Sequence, residues 1–110
     1  MTALSVIIPV YNEEGNIPAL YKRLKKVISD ITSDHELLFI NDGSHDRSIQ
    51  LIKELSAKDQ AVRYIDFSRN FGHQIAVTAG LDHAKGDAVV IIDADLQDPP
   101  ELIAEMYEKM

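Results

Sequence analysis

The chain has 110 residues, 45% of them hydrophobic, with no cysteine and with 18 acidic against 11 basic residues for a formal charge of -7. That length bounds it at one domain with an ordinary packed core, and the acidic balance argues against a nucleic-acid binder, which needs a basic face to neutralise phosphates. Disulfides and thiolate metal sites are excluded, and the longest apolar run, Ala88 to Ile92, falls far short of the roughly 18 residues of a membrane span.

No Lys or Arg precedes "ALSVIIPV", so the start does not read as a secretion signal. "LSVIIPVY" predicts a buried strand from Leu4 to Ile8, ended by Pro9, which cannot donate within a central ladder. Ile17, Leu20, Leu24, Val27, Ile28 and Ile31 then recur at helical spacing behind Asn16 as N-cap, with Pro18 in the first turn. "ELLFI" is a second strand, and "NDGSHD" supplies turn and capping residues for a helix marked by Ile49, Ile52 and Leu55. "VRYIDF" is a third strand, "SRNFGHQ" a loop, and "IAVTAGLDHA" a third helix closed by Gly86. "AVVII" is the fourth strand, and "PPELIAEMYEKM" opens a fourth helix on its prolines. Four near-continuous apolar strands, each followed by a helical pattern, specify an α/β fold: a mostly parallel sheet with helices on both faces. Ending during the fourth helix, the chain reads as the first part of something larger.

Open parallel sheets bind ligands outside the carboxyl ends of their strands. Here those ends read "PVYNEE", "NDGSHD", "SRNFGH" and "DADLQD". Asp93 and Asp95 are one residue apart, so in an extended segment both project to one side. Two close carboxylates raise each other's pKa unless a cation intervenes. Mg2+ or Mn2+ commonly uses one or two carboxylates and completes its shell with phosphates and water. Gln97 offers a neutral oxygen toward the same place, while Asp98, directly before Pro99, reads as the cap of the fourth helix. For Asp42, a hydrogen-bond acceptor for a base or ribose and a plain loop residue are equal alternatives, with Asp46 capping the helix that follows. Glu13 and Glu14 suit the first turn of a helix, a reading best for Glu14. Arg69 and His73 flank the third loop, where such residues are more often solvated than bound to a diphosphate or sugar. Lys22, Lys25 and Lys26 share a helix face that reads as solvated rather than lipid-binding, and His35, His45 and His83 have no ligand spacing.

"VIIPVYNEEGNI", "INDGSHDRS" and "GDAVVIIDADLQDPPEL", in this order and spacing, resemble the N-terminal half of an inverting family 2 glycosyltransferase with the GT-A nucleotide-sugar-binding fold. "SRNFGHQIAVTAGLDHA" is similar to the branch containing dolichol-phosphate mannose synthase and bactoprenol glucosyltransferases. The resemblance implies transfer of a hexose from a UDP- or GDP-sugar to a polyprenyl phosphate, on the cytoplasmic side of a membrane in a full-length protein. Residues 1–110 would be the nucleotide-sugar-binding part of the catalytic domain, and a homo-oligomer is compatible with it. Carried over by position, Pro9, Tyr11 and Glu13 line the nucleobase pocket, Ile40 and Asp42 contact base or ribose, and Asp93, Ala94, Asp95 and Gln97 hold metal and diphosphate. Asp93 and Asp95 are the residues on which transfer would rest. The family string has Asp where this chain has Asn41, and Gly where it has Arg47. The family's acceptor-binding region, later catalytic residues and membrane helices have no counterpart in these residues. The alternative is a truncated nucleotide-binding module without turnover. No G-x-G-x-x-G follows the first strand and no P-loop lysine is present, which disfavours dinucleotide and P-loop enzymes.

Overall fold

The computed structural model describes residues 2–95 and 99–108. Strands β1 (Leu4–Val10), β2 (His35–Asn41), β3 (Val62–Asp66) and β4 (Ala88–Ile91) alternate with helices α1 (Ile17–Ile31), α2 (Ser48–Lys58), α3 (His73–His83) and α4 (Leu102–Glu108). All strand pairs are parallel, in the order β3-β2-β1-β4.

Right-handed crossovers decide where the helices go. The steps from β1 to β2 and from β2 to β3 run in one direction across the sheet, so α1 and α2 share a face. The step from β3 to β4 runs back past two strands, which places α3 on the opposite face. Side-chain alternation follows. Leu4, Val6, Ile8 and Val10 of β1, with Leu37 and Phe39 of β2, pack against Leu20 and Leu24 of α1, Ile52 of α2 and Ile103 of α4. Ile7, Leu38 and Ile40 pack against Ala76 of α3. Gly80 lets α3 lie close, since a Cβ there would stand 2.5 Å from a methyl of Ile7.

β1 runs two residues past its expected end and includes Pro9, which pairs with Ile40. The carbonyl of Val10 accepts from Asp42 on the β2 side, whereas that of Ile7 accepts from Ile92 on the β4 side. Pro9 therefore turns its missing donor toward β4, where the last bond is the one from the Ile92 N–H to Ile7, while the pairing with β2 runs on to Val10. Gly86 does not cap α3, whose C-cap is Ala84. Instead Gly86 lies against the backbone of Ser5, where a Cβ would not fit, and donates its N–H to Ser5 Oγ at 2.8 Å. Asn16 stands at the N-cap of α1 without a side-chain cap bond, its amide donating to Glu13 Oε2 at 2.7 Å. Glu14 precedes the helix and so is not a first-turn charge. Lys25 is held by Asp59 at 3.0 Å and lies 2.8 Å from His35 Nε2, which removes it from a free lysine face. Among the described residues no helix is long and apolar enough to cross a membrane.

Candidate functional site

Strand order reverses between β1 and β4, and this switch point is where an open α/β sheet has its crevice. A cleft of about 480 Å³ opens there, lined from all four strand ends: Pro9 at the end of β1 with Tyr11 and Glu13 after it, Asp42 after β2, Asn70, Gly72 and His73 after β3, and Asp93, Ala94 and Asp95 after β4.

Two of those loops are latched together. Asn12, at φ 54, donates its N–H to Ser44 Oγ and accepts from the His45 N–H through Oδ1, both within 2.9 Å. The N–H of Glu13 reaches Ser48 Oγ at 2.9 Å, and that of Glu14 reaches Asp46 Oδ2 at 3.1 Å. Asp46 also caps α2 as expected, accepting from the Ser48 N–H at 2.9 Å. Burial raises the Asp46 pKa, but hydrogen bonds from Ser48 and Glu14 outweigh it and leave the carboxyl below its ordinary value. The latch fixes the backbone beneath Tyr11, whose ring is 44% exposed and meets His45 edge-on at 6.5 Å.

Asp42 is 4% exposed, and its carboxylate is engaged by the next loop. Oδ1 accepts from the Phe71 N–H at 2.7 Å, and Oδ2 accepts from the Gly72 N–H at 3.1 Å and the Asn70 amide at 3.2 Å. Gly43 makes this approach feasible: at φ +70 it adopts a left-handed conformation, and a Cβ would collide with the backbone of Arg69 and Asn70.

β4 ends at Ile91, earlier than expected, and Ala94 and Asp95 lie in a turn. An inward-outward alternation persists all the same. Ile92 and Ala94 are 2% exposed and belong to the core under α1, while Asp93 and Asp95 are partly exposed at the cleft. Asp93 Oδ1 lies 3.0 Å from His73 Nε2.

Seven expected positions therefore meet in one cleft: Pro9, Tyr11, Glu13, Asp42, Asp93, Ala94 and Asp95. Ile40 does not join them, because strand alternation sends its fully buried side chain beneath α3. Gln97 and Asp98 lie outside the described residues. Asn70 and Gly72 line the cleft without having been expected to, the glycine within "RNFGH" being their one visible signal, and His73, read as more often solvated than bound, lines it too.

Four lining residues carry carboxyl groups, and His73 is the basic side chain among them. A diphosphate would be repelled from such a wall unless a cation came with it. Among the described residues no group of three or more His, Asp or Glu forms a complete metal cage. The carboxylates of Asp93 and Asp95 on the cleft wall are nevertheless of the donor type that Mg2+ or Mn2+ takes, hard ions that use one or two carboxylates and leave the remaining positions to phosphate and water.

Asn41 explains one departure from the family string. Its amide donates to Asp66 Oδ1 at 2.9 Å across the β2-β3 pair, and its buried Oδ1 has no partner. Asn41→Asp would set two carboxylates against each other and remove the donor. We expect a loss of about 1–3 kcal/mol at neutral pH, relieved as acid protonates one of the pair and restores an O–H donor. Urea unfolding at pH 7 and pH 4 checks this; an equal loss at both would contradict it.

A family profile described as Glycosyl transferase family 2 matches residues 5–110. The chain is 62% identical over 105 residues to "Uncharacterized glycosyltransferase YkcC" of Bacillus subtilis (strain 168), covering 96% of this chain and 32% of that protein. It is 46% identical over 106 residues to the "Bactoprenol glucosyl transferase" of Shigella phage SfV, covering 96% and 34%. The structure of S. aureus TarS 1-349 in complex with UDP-GlcNAc matches with a TM-score of 0.76 at 26% identity, covering 96% of this chain and 32% of TarS. The chain thus spans about a third of the length of these relatives. The shared architecture bears out the expected GT-A fold.

Proposed function

Because the chain belongs to glycosyl transferase family 2, we propose that its cleft holds a UDP- or GDP-hexose, as the donor-binding part of a transferase that glycosylates a polyprenyl phosphate. The observation that carries this reading is the meeting of Asp93 and Asp95 with Pro9, Tyr11 and Glu13 at the sheet's switch point. The exposed Tyr11 ring suits a nucleobase, which stacks on aromatic faces. The latched backbone of residues 12–14 keeps that ring in place. Asp93 and Asp95, with Gln97 following, would hold Mg2+ or Mn2+ against the diphosphate. When bound, such an ion supplies Lewis-acid stabilisation of the charge that develops on the leaving phosphate oxygens.

In the transfer, an acceptor phosphate oxygen forms a bond to the anomeric carbon from the face opposite the leaving group. The bond from that carbon to the β-phosphate oxygen breaks with its electron pair, so the configuration inverts and the nucleoside diphosphate departs. A phosphate monoester has its second pKa at about 6 and is largely dianionic at neutral pH, so no strong general base is required of this cleft. UDP-GlcNAc bound to TarS supports a UDP-sugar donor, and the activity named for the SfV relative supports a bactoprenol acceptor. That acceptor would place the full-length protein at the cytoplasmic side of a membrane.

A second reading, donor binding without turnover, draws on the chain's span of about a third of its relatives. Calorimetry with UDP and GDP, each with and without Mn2+, tests donor binding. Transfer of labelled hexose to undecaprenyl phosphate separates the two readings. Nucleotide binding that ignores both base and metal would overturn the assignment.

A further inference from the structure

His73 is the first residue of α3, and its Nε2 lies 3.0 Å from Asp93 Oδ1. An ionised carboxylate only accepts, so Nε2 carries the proton in this contact. The two side chains are 65% and 48% exposed. An isolated pair that open to water contributes little and wanders among rotamers.

This pair is not isolated. The backbone from which His73 projects is fixed two residues earlier by a buried group, because Asp42 accepts from the N–H groups of Phe71 and Gly72. Gly72, at φ 104, then turns the chain into α3. The Asn70 amide ties the start of the loop to both the carboxylate and the carbonyl of Asp42, at 3.2 and 3.1 Å. Contacts thus run without a gap from β2 through the loop to the cleft wall beyond β4.

We propose that Asp42, the loop 70–72 and His73 form a positioning relay that holds the Asp93 carboxylate in place for the cation and diphosphate of the donor. This rests on the donor-site reading above and gives Asp42 work other than touching the base. His73 is a positioning residue: it takes Asp93 Oδ1 and leaves Oδ2 for the ion. The loop "SRNFGH" is then part of the site's scaffold rather than a solvated connection.

Two measurements test the relay. In the chain without metal or nucleotide, long-range proton-nitrogen NMR should find the His73 ring protonated at Nε2. That signal should shift in both Asp93→Asn and Asp42→Asn; a ring indifferent to both overturns the relay. In calorimetry with Mn2+ and UDP or GDP, His73→Ala should weaken binding about tenfold, as loss of a partner that orients a metal ligand does. His73→Gln, which keeps an N–H donor at similar reach, should restore affinity to within about threefold. His73→Ala combined with Asp42→Asn should be no worse than Asp42→Asn alone, because the two act in series. Wild-type affinity in His73→Ala, or losses that add, would overturn it. Absence of nucleotide binding by the unaltered chain would count against the donor reading instead, and the NMR measurement still decides the relay.

Discussion

Asp95→Asn is expected to abolish the metal-dependent part of nucleotide binding while leaving the fold in place. The substitution keeps the size and one oxygen of the side chain but removes the charge, so it isolates electrostatics from packing. With Asp93 it supplies the negative charge that a divalent ion would neutralise on this wall of the cleft. Such an ion contributes several kcal/mol of charge stabilisation, so losing half its anionic support should weaken UDP or GDP binding in Mn2+ by roughly a hundredfold, about 2.7 kcal/mol. Binding without Mn2+ should change little. The fold should persist because Asp95 lies in a turn past the last strand pair, while its neighbours Ile92 and Ala94 supply the core contacts. Calorimetry with and without Mn2+, beside a thermal unfolding curve, checks both halves. Unchanged affinity in Mn2+ would sink the metal assignment.

The sheet was legible because β1, β2 and β4 carry nearly unbroken apolar runs, which a sheet covered on both faces accommodates, and the edge strand β3 keeps Val62 and Ile65 between its polar residues. What escaped was set by contacts between distant residues. Pro9 looked like a strand end, yet its missing donor faces β4 and the pairing with β2 continues to Val10. α3 begins at His73, two residues before its expected start, because the polar His73 and Gln74 form an exposed first turn that interrupts no apolar period. Ile40 sits two residues before Asp42 in the motif, but alternation along β2 buries it on the α3 face. The sequence left two readings of Asp42 because its hydrogen-bond partners lie 28 to 30 residues away. The Asp93 and Asp95 pair was readable, being local. Its partner His73 was not, since twenty residues separate it from Asp93 and only the fold closes that distance.

At the other end of the sheet, Glu36→Ala is expected to destabilise the protein by about 2–5 kcal/mol, the cost of leaving two donors at this buried carboxylate without their acceptor at about 1–3 kcal/mol each. Glu36 is 4% exposed and joins four parts of the chain. It accepts from Ser5 Oγ at 2.5 Å on β1, from Arg63 Nη1 at 2.6 Å on β3, and from the Lys85 N–H at 2.6 Å before β4. Truncation would leave the fully buried Ser5 hydroxyl and the Lys85 N–H without their acceptor, and a total stability of about 5–15 kcal/mol absorbs such a loss poorly. Glu36→Gln keeps the shape and one acceptor and should lose less, about 1–3 kcal/mol. The pH dependence separates charge from packing. Burial raises the Glu36 pKa, but the Ser5 hydroxyl, the Lys85 N–H and the Arg63 guanidinium together outweigh it, so the folded value lies below the ordinary one of 4.5. A depressed carboxyl contributes stability that is present in full above its unfolded pKa and is lost as pH falls through the folded one. The gap in urea midpoints between the parent chain and Glu36→Gln should therefore be widest at neutral pH and narrow below 4.5. Taking this difference removes the similar acid losses from Asp46 and Asp59, which are also held below their ordinary values. A gap that stays constant with pH would mean that shape, not charge, ties these elements together. Because Glu36 lies at the opposite end of the strands from the cleft, Mn2+-dependent nucleotide affinity should be unchanged in Glu36→Gln wherever the protein remains folded.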